Sequence, residues 1–204
     1  MHHKILEQKT RVAFELLGSS RLVKKFYLAG GTELALHLGH RLSYDLDFFS
    51  PKEFIPRAMI IKLQEAGHFT LDSQDKGTVH GQFEKTKLSL LHYPYPLLFR
   101  PIPWLGVMIA DPRDIGCMKL DAISSRGTKK DFVDLFFLLK IISLKDLLAL
   151  FQKKYRRVGY NLAHVLKSIV YFEDARQDPE PKMLLPYSWK EIERTLEQQI
   201  KSIL

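Results

Sequence analysis

Two carboxylates one residue apart interrupt an apolar run at Ser43-Tyr44-Asp45-Leu46-Asp47-Phe48-Phe49. Asp is a poor strand former, whereas Leu46, Phe48 and Phe49 suit a strand that Ser50-Pro51 would end. Residues i and i+2 of a strand share a face, which would set Asp45 beside Asp47. Their charges repel unless a cation lies between them. Two outcomes are open at this point: a strand end whose acids are solvated or paired with Arg41, or a site for a divalent cation.

The segment before this strand narrows the choice. Phe26-Tyr27-Leu28-Ala29 reads as a short buried strand, stopped by Gly30-Gly31-Thr32. A helical pattern then runs from Glu33 to Leu38 and closes at Gly39. Glycines at a helix start let backbone N–H groups approach an anion, although a tight turn needs glycine as well. The tripeptide is neither a Walker A loop nor a dinucleotide fingerprint. Joined to the Asp-x-Asp strand, it would set a phosphate cradle beside a metal site. That pairing suits phosphoryl or nucleotidyl transfer, because Mg²⁺ takes carboxylate and phosphate oxygens together and polarises phosphorus.

The remaining elements frame these residues. An amphipathic helix is expected over 4–17 and another over 56–66, the latter with proline in its first turn. Short strands are expected near 68–73, 78–84 and 86–92, then a proline-rich crossing from Pro94 to Pro103. Asp111-Pro112-Arg113-Asp114 starts a helix that carries Lys119, Asp121 and Arg126 and ends near Gly127. Further helices are expected near 129–140, 144–155, 162–172 and 189–203. Two of them open on capping boxes, Ser143…Asp146 and Ser188…Glu191. A loop at 174–187 precedes the last helix. The architecture is therefore mixed α/β (α+β), with a core over 1–140, a boundary between 110 and 140, and a helical part over 141–204.

The chain of 204 residues has a formal charge of +8, and basic surfaces of this size attract polyanions such as nucleic acid. The single cysteine excludes an internal disulfide and no structural-zinc spacing is present, which fits a reducing cytoplasm. No apolar run is long enough to cross a bilayer, and the N-terminus lacks signal-peptide features. Lys153-Lys154-Tyr155-Arg156-Arg157, with Tyr160 nearby, is either a solvated helix end or a place where rings stack on unpaired bases.

Ala29-Gly30-Gly31-Thr32-Glu33-Leu34-Ala35-Leu36 and Gly39-His40-Arg41-Leu42-Ser43-Tyr44-Asp45-Leu46-Asp47 together resemble the first motif of the AbiEii/AbiGii toxin family. That family belongs to the nucleotidyltransferase superfamily that includes DNA polymerase β. Lys119-Leu120-Asp121-Ala122-Ile123 and Lys130-Asp131-Phe132-Val133-Asp134-Leu135 resemble its later motifs, in the same order along the chain. The resemblance implies a polymerase-β-like core in which Asp45 and Asp47 hold Mg²⁺ (or Mn²⁺). Gly30, Gly31 and Thr32 would line the NTP triphosphate, joined by Arg41 and Ser43. Lys119 would contact the phosphates, and Asp131 or Asp134 would complete the catalytic site.

Spacing adds to this. Lys119 and Arg126 are two helical turns apart and can present two cations to one anion. Asp131 and Asp134 are neighbours on one helical face, where Lys129 and Lys130 could pair with them. One feature departs from the family pattern. Polymerase-β-like enzymes carry a third carboxylate on a later strand, and its counterpart here is Ser89, with His92 turned to the opposite face.

Three readings follow. The first is a cytoplasmic, metal-dependent nucleotidyltransferase toxin that moves a nucleotide from an NTP to a hydroxyl, such as the 3′ end of tRNA. Its helical part would hold the RNA, and a separately encoded antitoxin would be its partner. The second is a slow or inactive nucleotide- or RNA-binding module on the same fold. The third is a basic nucleic-acid-binding protein with no nucleotide site.

Overall fold

The computed structural model describes residues 1–2 and 5–203. Seven strands form one mixed sheet among the described residues: β1 (Tyr27–Ala29), β2 (Leu46–Ser50), β3 (Phe69–Asp75), β4 (Thr78–Phe83), β5 (Thr86–His92), β6 (Ile102–Trp104) and β7 (Val107–Ile109). Their order is β3-β4-β5-β2-β1-β7-β6. The pairings β2–β5 and β1–β7 are parallel and the others antiparallel. The mixed α/β architecture expected from the sequence is the observed one.

Strand alternation divides the apolar residues between two faces. Leu28, Leu46, Phe48, Leu88 and Leu90 pack with Phe14 and Leu17 of α1 (Gln8–Ser19) and Leu63 of α3 (Pro56–Ala66). Tyr27 and Ala29 face the other way. They meet Leu34 of α2 (Gly31–Leu38) and the helices α4 (Pro112–Ser125) and α5 (Lys129–Leu138). The same cluster continues without a break into α6 (Leu144–Lys154), α7 (Leu162–Ile169), α8 (Glu173–Gln177) and α9 (Trp189–Lys201).

Several elements differ from expectation for local reasons. The helix expected from residue 4 begins at Gln8, and residue 4 itself lies outside the described residues. The proline-rich crossing contains β6, which is tolerated because β6 is the last strand of the sheet, and Pro103 needs no ladder donor at an edge. Helix α8 sits in what reads as a loop. Ser143 caps α6 by accepting from the Asp146 N–H, but Ser188 makes no such bond at α9.

The basic run at 153–157 is also not one surface. Lys154 is buried against Asp114 at 2.8 Å, and Tyr155 is buried with its hydroxyl on that of Tyr93. Only Lys153, Arg156 and Arg157 of that run reach solvent, so Tyr155 has no free face for a base.

Candidate active site

The turn from β1 into α2 is set by Gly30, whose φ of +91° suits glycine and few other residues. Gly30 is the N-cap of α2 and supplies no side-chain cap, so the first N–H groups of that helix lack the usual partner. A Cβ at Gly31 would stand 2.4 Å from Arg41 Nη2, so a larger residue there would have to displace the guanidinium that binds Asp134. Thr32 is buried, and its hydroxyl binds Ser43 Oγ at 2.8 Å and the Asp45 carbonyl oxygen. The threonine thus pins the segment that delivers the acids.

Asp47 lies in β2 and Asp45 immediately precedes it, so the pair straddles the strand's start rather than lying within it. Asp45 is exposed and Asp47 half-buried. Burial pushes the Asp47 carboxyl above its ordinary range, a hydrogen bond from Ser89 opposes this, and the Asp45 charge adds to it. Neither acid forms an ion pair among the described residues. In particular, Arg41 does not pair with them; its Nε and Nη2 bind Asp134 at 2.7 and 2.9 Å.

Asp131 and Asp134 have a different setting. Asp134 is fully buried and also accepts from His40 Nε2 at 2.7 Å and meets Lys119 Nζ at 2.6 Å. Burial alone would raise its pKa, but Lys119 and Arg41 hold it well below the carboxylate range. Asp131 takes Lys119 at 2.9 Å, Arg126 at 3.1 Å and the Thr128 hydroxyl at 2.7 Å. Against the effect of burial, these cations bring Asp131 down to about 2. Lys119 and Arg126 therefore do converge on one anion, and that anion is Asp131. Burial would lower the Lys119 pKa, yet the two aspartates hold it above its usual value. Lys129 pairs with neither aspartate of its own helix; it reaches Glu180 at 2.9 Å.

Around these groups opens a cleft with two lobes. Gly31, Asp45, Asp47, Lys119, Arg126, Thr128 and Lys130 line both. The smaller lobe, about 300 Å³, adds Thr32, Arg41, Ser43, Asp131 and a roof of Pro179 to Lys182. That roof is tied down by Leu42 N donating to Lys182 O at 2.8 Å and by an Arg41–Met183 bridge. The larger lobe, about 650 Å³, adds Gly30, His80, Ser89, Tyr93 and Asp121. Asp134 lines neither lobe and lies beneath them.

The glycine turn, Arg41, Ser43, Asp45, Asp47, Lys119, Arg126 and Asp131 thus line one cleft with Asp134 as its buried support, whereas His92 and the run at 153–157 lie outside it. Among the described residues there is no cluster of three or more His, Cys, Asp or Glu side chains able to hold a metal. Two unpaired carboxylates at the mouth of a cation-lined cleft nevertheless suit Mg²⁺, which keeps waters and takes its other ligands from substrate phosphates. In the β2–β5 register Ser89 stands directly beside Asp47. His92 is three residues further along, with its side chain against Gly77. Sequence reasoning missed His40, Tyr93 and His80, the last of which contacts Ser89 at 3.1 Å.

A family model described as "Nucleotidyl transferase AbiEii toxin, Type IV TA system" matches residues 14–202. An uncharacterized protein of Aquifex aeolicus (strain VF5) is 38% identical over 205 residues, covering 98% of both chains. Among solved structures, a proposed nucleotidyltransferase from H. pylori superposes with a TM-score of 0.53 at 18% identity, over 96% of this chain and 92% of the other. A nucleotidyltransferase toxin from Mycobacterium tuberculosis H37Rv gives a TM-score of 0.49 at 14% identity, over 95% and 84%.

Proposed function

The chain belongs to the AbiEii nucleotidyltransferase toxin family of type IV toxin–antitoxin systems, and from that premise we propose that it transfers a nucleotide from an NTP to a hydroxyl acceptor on RNA, with tRNA 3′ ends the first candidates. The observation that carries this reading is the charge arrangement of the cleft. Asp45 and Asp47 are left unpaired beside the N-terminus of α2, while Lys119, Arg126 and Lys130 line the same space. Asp45 and Asp47 would hold Mg²⁺ or Mn²⁺, and the metal would neutralise the triphosphate and activate its α-phosphorus.

The chain's own groups do the rest. N–H groups at Gly31 and Thr32 receive phosphate oxygens. Arg126, exposed and in both lobes, adds a charged donor to them. Lys119 is held in place by Asp131 and Asp134, so its charge is fixed in the wall before substrate arrives. Exposed Lys153, Arg156 and Arg157 are where the helical part would meet RNA phosphates. A separately encoded antitoxin and a cytoplasmic setting complete this reading; no helix of the described residues is long and apolar enough to cross a membrane.

Ser89 beside Asp47 favours a second reading, a nucleotide-binding module with slow turnover, because an acid at that position would have supplied a third ligand and a base. One experiment separates the two. The protein is incubated with each α-labelled NTP, Mg²⁺ and total tRNA, and RNA-bound label is measured alongside Mg·NTP affinity. Label on RNA that vanishes in Asp45→Asn and Asp47→Asn supports transfer. Binding without label leaves the module, and neither binding nor label refutes both.

A further inference from the structure

The two lobes of the cleft differ in what their walls can hold. Half-buried Phe49, Leu91, Tyr93 and Met118 line the larger lobe and not the smaller. Such a wall suits a nucleoside and is a poor place for phosphate charge. The smaller lobe is lined mainly by charged and hydroxyl side chains, with Gly31 and Thr32 at the α2 N-terminus. Asp45 and Asp47 line both lobes, so the α-phosphorus they would serve stands at the junction. In-line displacement sets the leaving pyrophosphate opposite the attacking hydroxyl. The β- and γ-phosphates then fall in the smaller lobe, and the acceptor nucleoside in the larger.

Five cations line the smaller lobe: Arg41, Lys119, Arg126, Lys130 and Lys182. Three of them are already engaged by acids. Arg41 and Lys119 bind Asp134, and Lys119 and Arg126 bind Asp131. Among the described residues, Lys130 and Lys182 make no ion pair. Lys130 borders both lobes, whereas Lys182 borders the smaller one alone. Lys182 arrives from the roof segment between α8 and α9, residues 178–188, which is fastened at several points. Leu42 N donates to the Lys182 carbonyl oxygen at 2.8 Å, and Leu184 N to that of His40 at 2.9 Å. The two acids of the segment are occupied. Asp178 accepts from Lys129 N at 2.9 Å, and Glu180 takes Lys129 Nζ at 2.9 Å and the Tyr187 hydroxyl. The Lys182 ammonium instead stands 5.4 Å from the centre of the ring of Tyr44, the residue before Asp45. A cation against a ring stays charged and keeps its N–H donors for a further partner.

We propose that Lys182 binds the terminal phosphates of the NTP, so that the roof segment, and not the core alone, selects a triphosphate. The inference rests on the transferase reading above. Arg41 shares the smaller lobe, but its Nε and Nη2 are held by Asp134, whereas the Lys182 charge has no acid to leave. The helical part of the chain thereby contributes a residue to the nucleotide site.

Calorimetry on the full-length protein in Mg²⁺ tests this without turnover, with each NTP, the matching NMP and inorganic pyrophosphate as ligands. Lys182→Met keeps most of the aliphatic stem and removes the charge; Lys182→Arg keeps the charge. The tie to Leu42 survives in both, because it uses the backbone carbonyl of residue 182. Lys182→Met should weaken NTP and pyrophosphate binding about tenfold or more. It should leave NMP affinity and the melting temperature of the free protein unchanged, and Lys182→Arg should restore most of the loss. Unchanged NTP affinity in Lys182→Met overturns the proposal. An equal loss for NTP and NMP also overturns it, by placing the charge at the α-phosphate and Asp45. A lowered melting temperature with a loss for every ligand assigns Lys182 to the packing of the roof on Tyr44, and overturns it too. A wild type that neither binds NTP in Mg²⁺ nor labels RNA removes the transferase reading and this site with it.

Discussion

Asp134→Asn is the perturbation that tests the buried support of the cleft most directly. The carboxylate accepts from His40 Nε2 and Arg41 Nε, both at 2.7 Å, from Arg41 Nη2 at 2.9 Å, and meets Lys119 Nζ at 2.6 Å. Asn keeps the shape and one acceptor oxygen but removes the charge. Two buried cations are then left to share Asp131, of which only Lys119 is in contact with it. Breaking a buried ion pair from one side costs about 3–5 kcal/mol, because an uncompensated charge stays in a low dielectric. For a chain of this size roughly 2–4 °C accompanies each kcal/mol, which puts the melting temperature about 6–20 °C lower. Urea unfolding followed by circular dichroism at pH 7, with thermal melts alongside, reads both quantities. The pH dependence has a definite sign. A carboxyl held below its unfolded value stabilises the fold above that value and loses its contribution as pH falls. The gap between wild type and variant should therefore persist at neutral pH and narrow only below the ordinary carboxylate range. A loss under about 1 kcal/mol at pH 7 would refute the argument, since Arg41 and Lys119 would then be satisfied without Asp134.

Other predictions concern the cleft itself. Asp47→Asn should raise the metal-free melting temperature at pH 7 but not near pH 3. Burial holds this carboxyl up, so the cost of ionising it appears only as pH rises past the unfolded value. The same variant should lose the melting-temperature gain that Mg·NTP gives the wild type, and an equal gain in both would remove Asp47 from the metal site. Arg126→Ala should weaken NTP binding by about 1.5–3 kcal/mol while leaving nucleoside binding almost unchanged, measured by calorimetry. Its side chain is 64% exposed, so a large fall in stability would instead assign it to the fold. Gly30→Ala must adopt φ +91° with its Cβ 3.3 Å from Asp47 Oδ2. It should cost about 1–3 kcal/mol in denaturant unfolding and weaken Mg·NTP binding as well; unchanged metal affinity would separate the turn from the acids.

Much of the frame is legible in the sequence because it is local. Pro56 and Gly67 bound α3, Asp111 caps α4 before Pro112, and Gly39 closes α2 in the left-handed region. The Gly30-Gly31-Thr32 and Asp45-x-Asp47 segments are also local, and β1 and β2 pair as neighbours in the sheet. His80 escaped notice through a slip of one residue. Strands placed at 78–84 and 86–92 centre the hairpin on residue 85 and would set residue 80 opposite 90. The true loop is Glu84-Lys85, both with positive φ as a two-residue turn requires, and it sets His80 opposite Ser89. A one-residue shift sends a side chain to the other face of the sheet. Neither residue is glycine or asparagine, so the turn carries no compositional mark.

The fate of Asp131 and Asp134 was hidden for a different reason. Their spacing places them on one face of a helix, and with Lys129 and Lys130 adjacent a solvated stripe would have the same composition. What decides between a stripe and a buried cluster is whether distant cations arrive. Lys119 does so from 12 residues away and Arg41 from 93. Both depend on α5 packing against α2 and α4, which places that face behind the glycine turn. A carboxylate buried without those partners would be too costly to remain ionised, and cations lining the cleft without it would repel one another. The acids and cations therefore have to be buried together. Asp45 and Asp47 are left outside that compensation, as is Asp121 in the larger lobe, and this is why the open negative charge of the site lies at the cleft surface rather than beneath it.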